Sequence, residues 1–443
     1  MLTGVQAIRG WTRSVPASAW VLIALALVIR LAFIAATPDY RPKHDDRDYD
    51  RLACALVTGD GYPRESPRAP AGDDCRRAAP SAEPTAFRPP GFPMFLAGIY
   101  TVARPLGIDR WTAARVAQAV LGALAAALIG LIALRLWGRT TALVAIALAA
   151  VYPPLILIGG SLLTEPLFVA LVLGTLAAVL AYRADPRRSL LIGAGVLAGL
   201  TALTRTNGVL LLLPLALLVF GAGAAAAARR TRAGHAAVFV AIALVTVAPW
   251  TIRNAVALHS FVPVSTEAGS ALAGTYNDAA RTNPVRPGAW VVPGTVPELR
   301  RLVASDFRDE PAAEGRQLSY AFDYMKGRPG YVAEVAGRNT LRLLNLDGKY
   351  WWRFSAGTIS QVQWGADIAG YAFFPFILLA LAGAFLPAAR RAPAWMWLVP
   401  GLLFLSVVPL VGELRMRAPI EPFILLLAAL PVAALIERRR ASR

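Results

Sequence analysis

The residues able to do chemistry are few and grouped in an otherwise apolar chain. His44-Asp45-Asp46-Arg47-Asp48-Tyr49-Asp50 places four carboxylates within six positions. Such a cluster can take a proton as a general base, ligate a divalent cation, or simply lie solvated on a helix face, and composition alone favours the solvated face. Phe87-Arg88-Pro89-Pro90-Gly91-Phe92-Pro93 follows about forty residues later, beyond the same apolar run. Glu165, in Leu163-Thr164-Glu165-Pro166, falls near membrane depth at the end of a run, where a charge is expensive and needs a partner. Arg30 and Arg205 are the partners the spacing offers; otherwise Glu165 is a second acid that orients a substrate. Arg88, Arg253, Arg415 and Arg417 join these two outside the arginine-rich gaps. For any one of them the plain reading is a snorkelling anchor.

The elements that must position these residues follow from composition. The chain has 443 residues, 56% of them hydrophobic and only 16% charged, where a soluble domain is near 25% charged. Apolar runs over 17–37, 113–136, 140–159, 166–182, 189–204, 208–227, 236–252, 369–387, 394–412 and 418–436 approach the length that crosses a bilayer. The fold class expected is an all-α polytopic membrane protein with about ten transmembrane helices. The net charge of +18 points away from nucleic acid, because its arginines gather in alternate gaps. They are Arg9 and Arg13; Arg135 and Arg139; Arg183, Arg187 and Arg188; Arg229, Arg230 and Arg232; Arg390 and Arg391; and Arg438, Arg439, Arg440 and Arg443. Placing those gaps in the cytoplasm satisfies the positive-inside rule and makes both termini cytoplasmic.

The run Gly91 to Ala103 is too short to span and reads as an interfacial or re-entrant helix. No cleavable signal is expected, since no small-residue cleavage site follows the first run. The organisation expected is a transmembrane module over 1–252, holding a first outer loop at 38–112, then an outer segment at 253–368 and C-terminal helices at 369–443. The outer segment is expected to form a small mixed domain, with a helical stretch near 297–326. Tyr350-Trp351-Trp352-Arg353-Phe354 suits the outer interface. Cys54 and Cys75, the only cysteines, both fall in the first outer loop, where an oxidising compartment permits a disulfide; the alternative packs Cys54 as a small apolar residue.

Asp45 four residues before Tyr49, a Tyr-x-x-x-Ala helix, the Arg88-Pro89-Pro90-Gly91 element, Leu163-Thr164-Glu165-Pro166, Leu203-Thr204-Arg205-Thr206-Asn207-Gly208, Pro249-Trp250-Thr251-Ile252-Arg253-Asn254 and Arg415-Met416-Arg417-Ala418-Pro419 occur in that order on one side. This pattern resembles the GT-C superfamily of membrane glycosyltransferases, and more narrowly the glycosyltransferase family 39-like group of protein O-mannosyltransferases and lipid A aminoarabinose transferases. The resemblance covers most of the chain and is thin over 270–360. It implies an inverting transfer of a sugar from a polyprenyl-phosphate donor to a glycan, lipid or protein acceptor. It also implies a bacterial cytoplasmic membrane, with the active site facing outward.

The resemblance puts the base at Asp45, with Glu165 as second acid. An acceptor hydroxyl must lose its proton, whereas a phosphate leaving group needs cations rather than an acid. Arg88, Arg253 and Arg205 are the expected phosphate ligands, because a guanidinium fork matches phosphate oxygens. Asp46, Asp48, Tyr49 and Arg417 are secondary candidates. Asp46 and Asp48 also form a D-x-D pair that holds a divalent metal in other glycosyltransferases. No cofactor is expected to be required, since a lipid monophosphate lacks the diphosphate such a metal bridges. The rivals are a flippase or transporter for a lipid-linked glycan and a non-catalytic assembly subunit. A transporter would carry charges at the midplane and show repeat symmetry; a subunit would not need the Asp45 carboxylate.

Overall fold

The computed structural model describes residues 16–64, 75, 83–221, 229–304 and 308–442, so that Arg9, Arg13 and Arg443 lie outside the described residues. Lipid offers the backbone no partners, and each apolar run therefore satisfies its peptide groups within its own helix. The N-terminal part comprises α1 (Ala17–Ala35), α2 (Asp45–Thr58), α3 (Gly91–Ala103), α4 (Arg110–Trp137), α5 (Arg139–Val151), α6 (Pro153–Gly159), α7 (Glu165–Ala184), α8 (Arg188–Thr204), α9 (Leu212–Phe220) and α10 (Arg229–Leu258). The outer segment contributes α11 (Glu267–Thr275), α12 (Asp278–Arg281), α13 (Pro297–Arg300), α14 (Glu310–Gly327), α15 (Pro329–Leu343) and α16 (Gly348–Thr358). The chain closes with α17 (Gln363–Ala384), α18 (Ala394–Val407) and α19 (Glu421–Ala441).

Among the described residues this multi-pass membrane protein is all-helical. By length and composition α1, α4, α7, α10 and α17 can each cross a bilayer, and α5 with α6 forms a sixth span if the bent pair is counted as one. The remaining expected runs are also helical but shorter: α8, α9 with the tight 3-10 turn before it, and α18, which stops at Val407 rather than 412. α19 has the length, and carries Arg438, Arg439 and Arg440 in its last turn. α4 packs on α1, α5 and α7, α8 bridges α7 and α10, and α19 lies against α5 and α17. The α8–α10 approach depends on Gly195 and Gly199, four residues apart; a Cβ on either would press on the Phe239 or Ala243 carbonyl of α10.

The outer segment departs from the mixed domain expected of it. Among the described residues it is helical, and the one bridge of β type, Pro63 with Pro84, lies elsewhere. α10 continues through 253 to Leu258 and α17 starts at Gln363, so helices run unbroken through both expected junctions. The helical stretch expected at 297–326 forms as two pieces, α13 and α14. Cys54 of α2 and Cys75 are joined by a disulfide. With 21 residues of separation, that link is worth about 3 kcal/mol through the entropy of the unfolded chain.

The bend between α5 and α6 sets the depth of the site. Pro153 and Pro154 have no N–H, so the carbonyls of Ala149 and Ala150 lose their helical donors. Arg30 of α1 supplies the replacements: Nη2 donates to the Ala149 carbonyl at 3.1 Å and Nη1 to that of Ala150 at 3.4 Å. Nη1 also reaches Ala26 at 2.9 Å. Gly122 of α4 leaves the room, since a Cβ there would overlap the Arg30 side chain. The partnership with Glu165 considered for Arg30 is not formed; the arginine instead caps a broken helix, which turns by 53°. Arg30→Met should therefore lower the thermal stability of the detergent-solubilised protein by ~2 kcal/mol or more, the cost of two orphaned carbonyls. An unchanged melting temperature would show that the bend does not depend on the guanidinium.

Candidate active site

α2 begins at Asp45 because the preceding turn is locked by Asp46. The Asp46 carboxylate is fully buried and accepts the backbone N–H groups of Lys43, His44 and Arg47 at 3.0, 2.9 and 3.1 Å. Its other oxygen accepts the Tyr40 hydroxyl at 2.7 Å. Those bonds occupy Asp46 with structure, so the D-x-D pair does not present two free carboxylates. Among the described residues no group of three or more His, Cys, Asp or Glu is arranged to hold a metal ion. The Tyr40 hydroxyl also accepts the Leu162 N–H at 2.9 Å, which fastens the start of α2 to the loop leading into Glu165. From α4, Arg115 donates to the Gly160 carbonyl at 2.7 Å and Gln118 to that of Ser161, holding the same loop from beneath.

One turn of α2 then points Asp45 and Asp48 to one side, as i and i+3 positions must. Arg88 Nη2 meets both, at 2.6 Å from Asp45 and 2.7 Å from Asp48. Arg88 is delivered by a strap over 83–90. Tyr62 donates its hydroxyl to the Arg88 and Pro89 carbonyls at 3.0 and 3.2 Å. Glu310 of α14 accepts from Thr85 Oγ1 at 2.6 Å and from the Ala86 N–H at 2.9 Å. The second Asp45 oxygen meets Arg415 Nη2 at 2.6 Å, from the tight turn before α19. Arg415 is shared with Glu413, whose carboxylate lies 2.8 Å from its Nε. Burial by itself would raise the Asp45 carboxyl, but the two guanidinium groups outweigh it and hold the acid well below the usual carboxylate range.

The other expected residues divide. Glu165 is 1% exposed and bound by Arg205 Nη1 at 2.6 Å, close to the Asp45 cluster. Arg205 also touches Thr164 and the Met416 sulfur. Tyr49 is buried, edge-on to Phe92, with the Arg88 guanidinium 5.3 Å above its ring. Arg417 is engaged elsewhere than at Asp45, although it lines an apolar crevice together with Arg415. It is buried on Glu421 at 2.5 Å and on the Leu343 carbonyl and the Asn345 side chain, so it fixes α19 to the outer segment. Arg253 is also placed otherwise than expected. Nη1 donates to the Thr85 carbonyl at 2.6 Å and Nη2 to that of Tyr62 at 3.2 Å, while the guanidinium stacks on Trp250. Arg253 thus holds the strap that carries Arg88. Trp351 and Trp352 are buried too, Trp351 donating to the Gly412 carbonyl beside Glu413.

Two residues in the cluster were not singled out from the sequence. Arg415 stood among several outer arginines with nothing to rank it above Arg417. Glu267, the first residue of α11, comes from the outer segment, 3.6 Å from Arg88 Nη1 and 3.4 Å from Thr206 Oγ1. A Glu opening a helix is common, and no spacing rule ties position 267 to position 88. Two mostly apolar crevices adjoin the cluster. One is lined by Ile158, Pro166, Val169 and Ala418 with Glu165 and Arg30, the other by Leu157, Ile158, Trp352 and Ala356 with Arg415.

Residues 87–252 match the family of dolichyl-phosphate-mannose-protein mannosyltransferases. The fold matches the archaeal oligosaccharyltransferase AglB of Archaeoglobus fulgidus, solved with an inhibitory peptide and a dolichol-phosphate. The TM-score is 0.55 at 14% identity, over 95% of this chain and 50% of that one. The Archaeoglobus fulgidus oligosaccharyltransferase tethered to an acceptor peptide aligns with TM-score 0.55 and 13% identity, over 96% of this chain and 50% of that one. This chain therefore spans about half the length of those archaeal relatives. ArnT from Cupriavidus metallidurans, bound to undecaprenyl phosphate, aligns over 95% of this chain and 79% of that one, at 17% identity and TM-score 0.43. A search of curated proteins gives no match. The family match is confined to residues 87–252, and the likeness to the solved structures, at 13–14% identity, is one of fold.

Arg253→Ala should lower thermal stability by ~1–3 kcal/mol, because the Thr85 carbonyl of the strap loses its donor and the Tyr62 carbonyl keeps only the Thr85 N–H. Thermal unfolding in detergent measures this; a melting curve that does not move would leave the strap held by Glu310 and Tyr62 alone.

Proposed function

We propose that the protein is an inverting glycosyltransferase that moves a sugar from a polyprenyl-phosphate donor to a hydroxyl acceptor at the outer face of a bacterial cytoplasmic membrane. The observation that carries this reading is Asp45 held between Arg88 and Arg415. A carboxylate between two guanidinium groups is a weak base, and those guanidinium groups have the fork that matches a phosphate. Both properties serve the reaction when the donor arrives. The phosphate draws on the charge of Arg88 and Arg415, and Asp45, relieved of part of their pull, becomes a stronger base. Asp45 takes the acceptor proton as its oxygen attacks the anomeric carbon. The bond to the phosphate oxygen breaks on the opposite face, with the electron pair going to the phosphate. Charge grows on the leaving group as the bond breaks, so the arginines bind the transition state more tightly than the ground state.

The phosphate ligands on this reading are Arg88 and Arg415, with Arg205 behind them on Glu165. Arg253 acts at one remove, by holding the strap. Glu165, almost fully enclosed at the head of an apolar crevice, suits sugar hydroxyls at the lipid boundary. The crevices suit a donor whose head is charged and whose tail is hydrocarbon, and one protein with this fold, the archaeal oligosaccharyltransferase AglB, was solved with a dolichol-phosphate. Acceptors of the glycan, lipid and protein classes all present the hydroxyl the chemistry needs.

Transfer in vitro from a panel of polyprenyl-phosphate sugars tests the assignment. Asp45→Asn keeps the shape and removes the base, so the rate should fall by ~10²–10⁴. Asp48→Asn, which removes only a partner of Arg88, should fall less; the reverse order would move the base to Asp48. Arg415→Ala should raise donor KM and lower kcat together, losing roughly 1.5–3 kcal/mol for a charge-assisted contact. Arg415→Lys should recover only part of this, because lysine keeps the charge and loses the fork.

A further inference from the structure

Arg88 is crowded by negative charge. Its Nη2 and Nε are taken by Asp45 and Asp48, while Nη1 faces Glu267 at 3.6 Å, beyond hydrogen-bonding length. An anion coming to Arg88 therefore approaches at Nη1, where Glu267 already stands. Around the site three arginines, Arg88, Arg415 and Arg205, meet five carboxylates, Asp45, Asp48, Glu413, Glu165 and Glu267. A phosphate added to that set is repelled unless one carboxylate gives up its charge.

Glu267 is the member least bound to its charge. Asp45 is held by two guanidinium groups and Glu165 by a short ion pair. Glu267 has only the long Arg88 contact and the Thr206 hydroxyl at 3.4 Å. The charged and titratable groups around it are Arg88 from the strap, Arg205 from the turn after α8, Asp45 and Tyr49 from α2, Tyr62 from the segment after α2, and Glu314 from α14. Burial raises its carboxyl, and Arg88 and Arg205 only partly offset that. Glu314, below the first turn of α11, is pushed up to about 7 by its own burial.

We propose that Glu267 joins the donor complex as a neutral carboxylic acid that gives a hydrogen bond to the phosphate, so that each donor bound takes up one proton. This rests on the polyprenyl-phosphate reading above. The proton comes from solvent and stays on Glu267, while Asp45 remains ionised to act as base. The sign follows from linkage. Above the pH at which free Glu267 ionises, the complex holds one proton more than the free protein, and affinity falls as pH rises.

The test is titration calorimetry of the full chain with the methyl diester of a polyprenyl phosphate, which carries one fixed charge and cannot itself take up a proton. Repeating it in buffers of different ionisation enthalpy counts the protons. The wild type should take up close to one proton above neutral pH, with Kd rising by up to about tenfold per pH unit. Glu267→Gln should bind with no uptake and a flat pH profile, and Glu314→Gln should keep both the uptake and the slope. Binding by the wild type without proton uptake overturns the proposal and leaves the donor reading standing; this arm holds even if Glu267→Gln fails to fold. Uptake that survives in Glu267→Gln, or that disappears in Glu314→Gln, also overturns it. No binding at any pH removes the donor reading along with it.

Discussion

Asp45 is where the chain closes on itself. Its two oxygens receive guanidinium groups from positions 88 and 415, one before most of the bundle and one after it. Three segments far apart in sequence must each be placed to within a hydrogen bond for that geometry to exist. The turn before α2 is locked by Asp46, the strap by Glu310 and Arg253, and the tight turn before α19 by Glu413 and Arg417. Most of the polar residues in this part of the molecule serve to hold that arrangement, and few of them are free to meet a substrate.

The same logic extends below the site, where lipid makes each unsatisfied group costly. The two prolines that bend the helix after Val151 free two carbonyls, and the arginine on α1 answers them. Arg115 and Gln118 answer the carbonyls of the loop beyond the bend. Three polar side chains on apolar helices are thus explained by the backbone carbonyls they answer. The result is a rigid floor under Glu165, from which an apolar crevice leads into the bundle.

Much of this was legible in the sequence. Length, apolarity and arginine placement dictate helices wherever a run must satisfy its own backbone, and the thirteen-residue run at Gly91 to Ala103 folds with the ends read for it. The motifs around Asp45, Arg88, Glu165 and Arg205 come together in one cluster. What sequence reasoning could not do was rank arginines. Arg253, Arg415 and Arg417 look alike as text. Their differences come from which carbonyl or carboxylate the fold brings opposite each, and those partners lie 1 to 191 residues away for Arg253 and Arg417. Asp46 misled for the opposite reason, since the pattern D-x-D is local while the bonds that lock its first member come from Tyr40 and the turn. Glu267 left no signal, because it meets Arg88 only once the outer segment has folded back over α2.

On the proposed function, the arginines holding Asp45 are the ones that receive the donor phosphate. A cryo-EM structure of the protein with a non-transferable polyprenyl-phosphate sugar would show whether they do. Phosphate oxygens are expected within hydrogen-bonding distance of both Arg88 and Arg415, with the Asp45 carboxylate loosened from at least one of them and facing the anomeric carbon. A phosphate seated elsewhere, with Asp45 still clamped between both guanidinium groups, would contradict it.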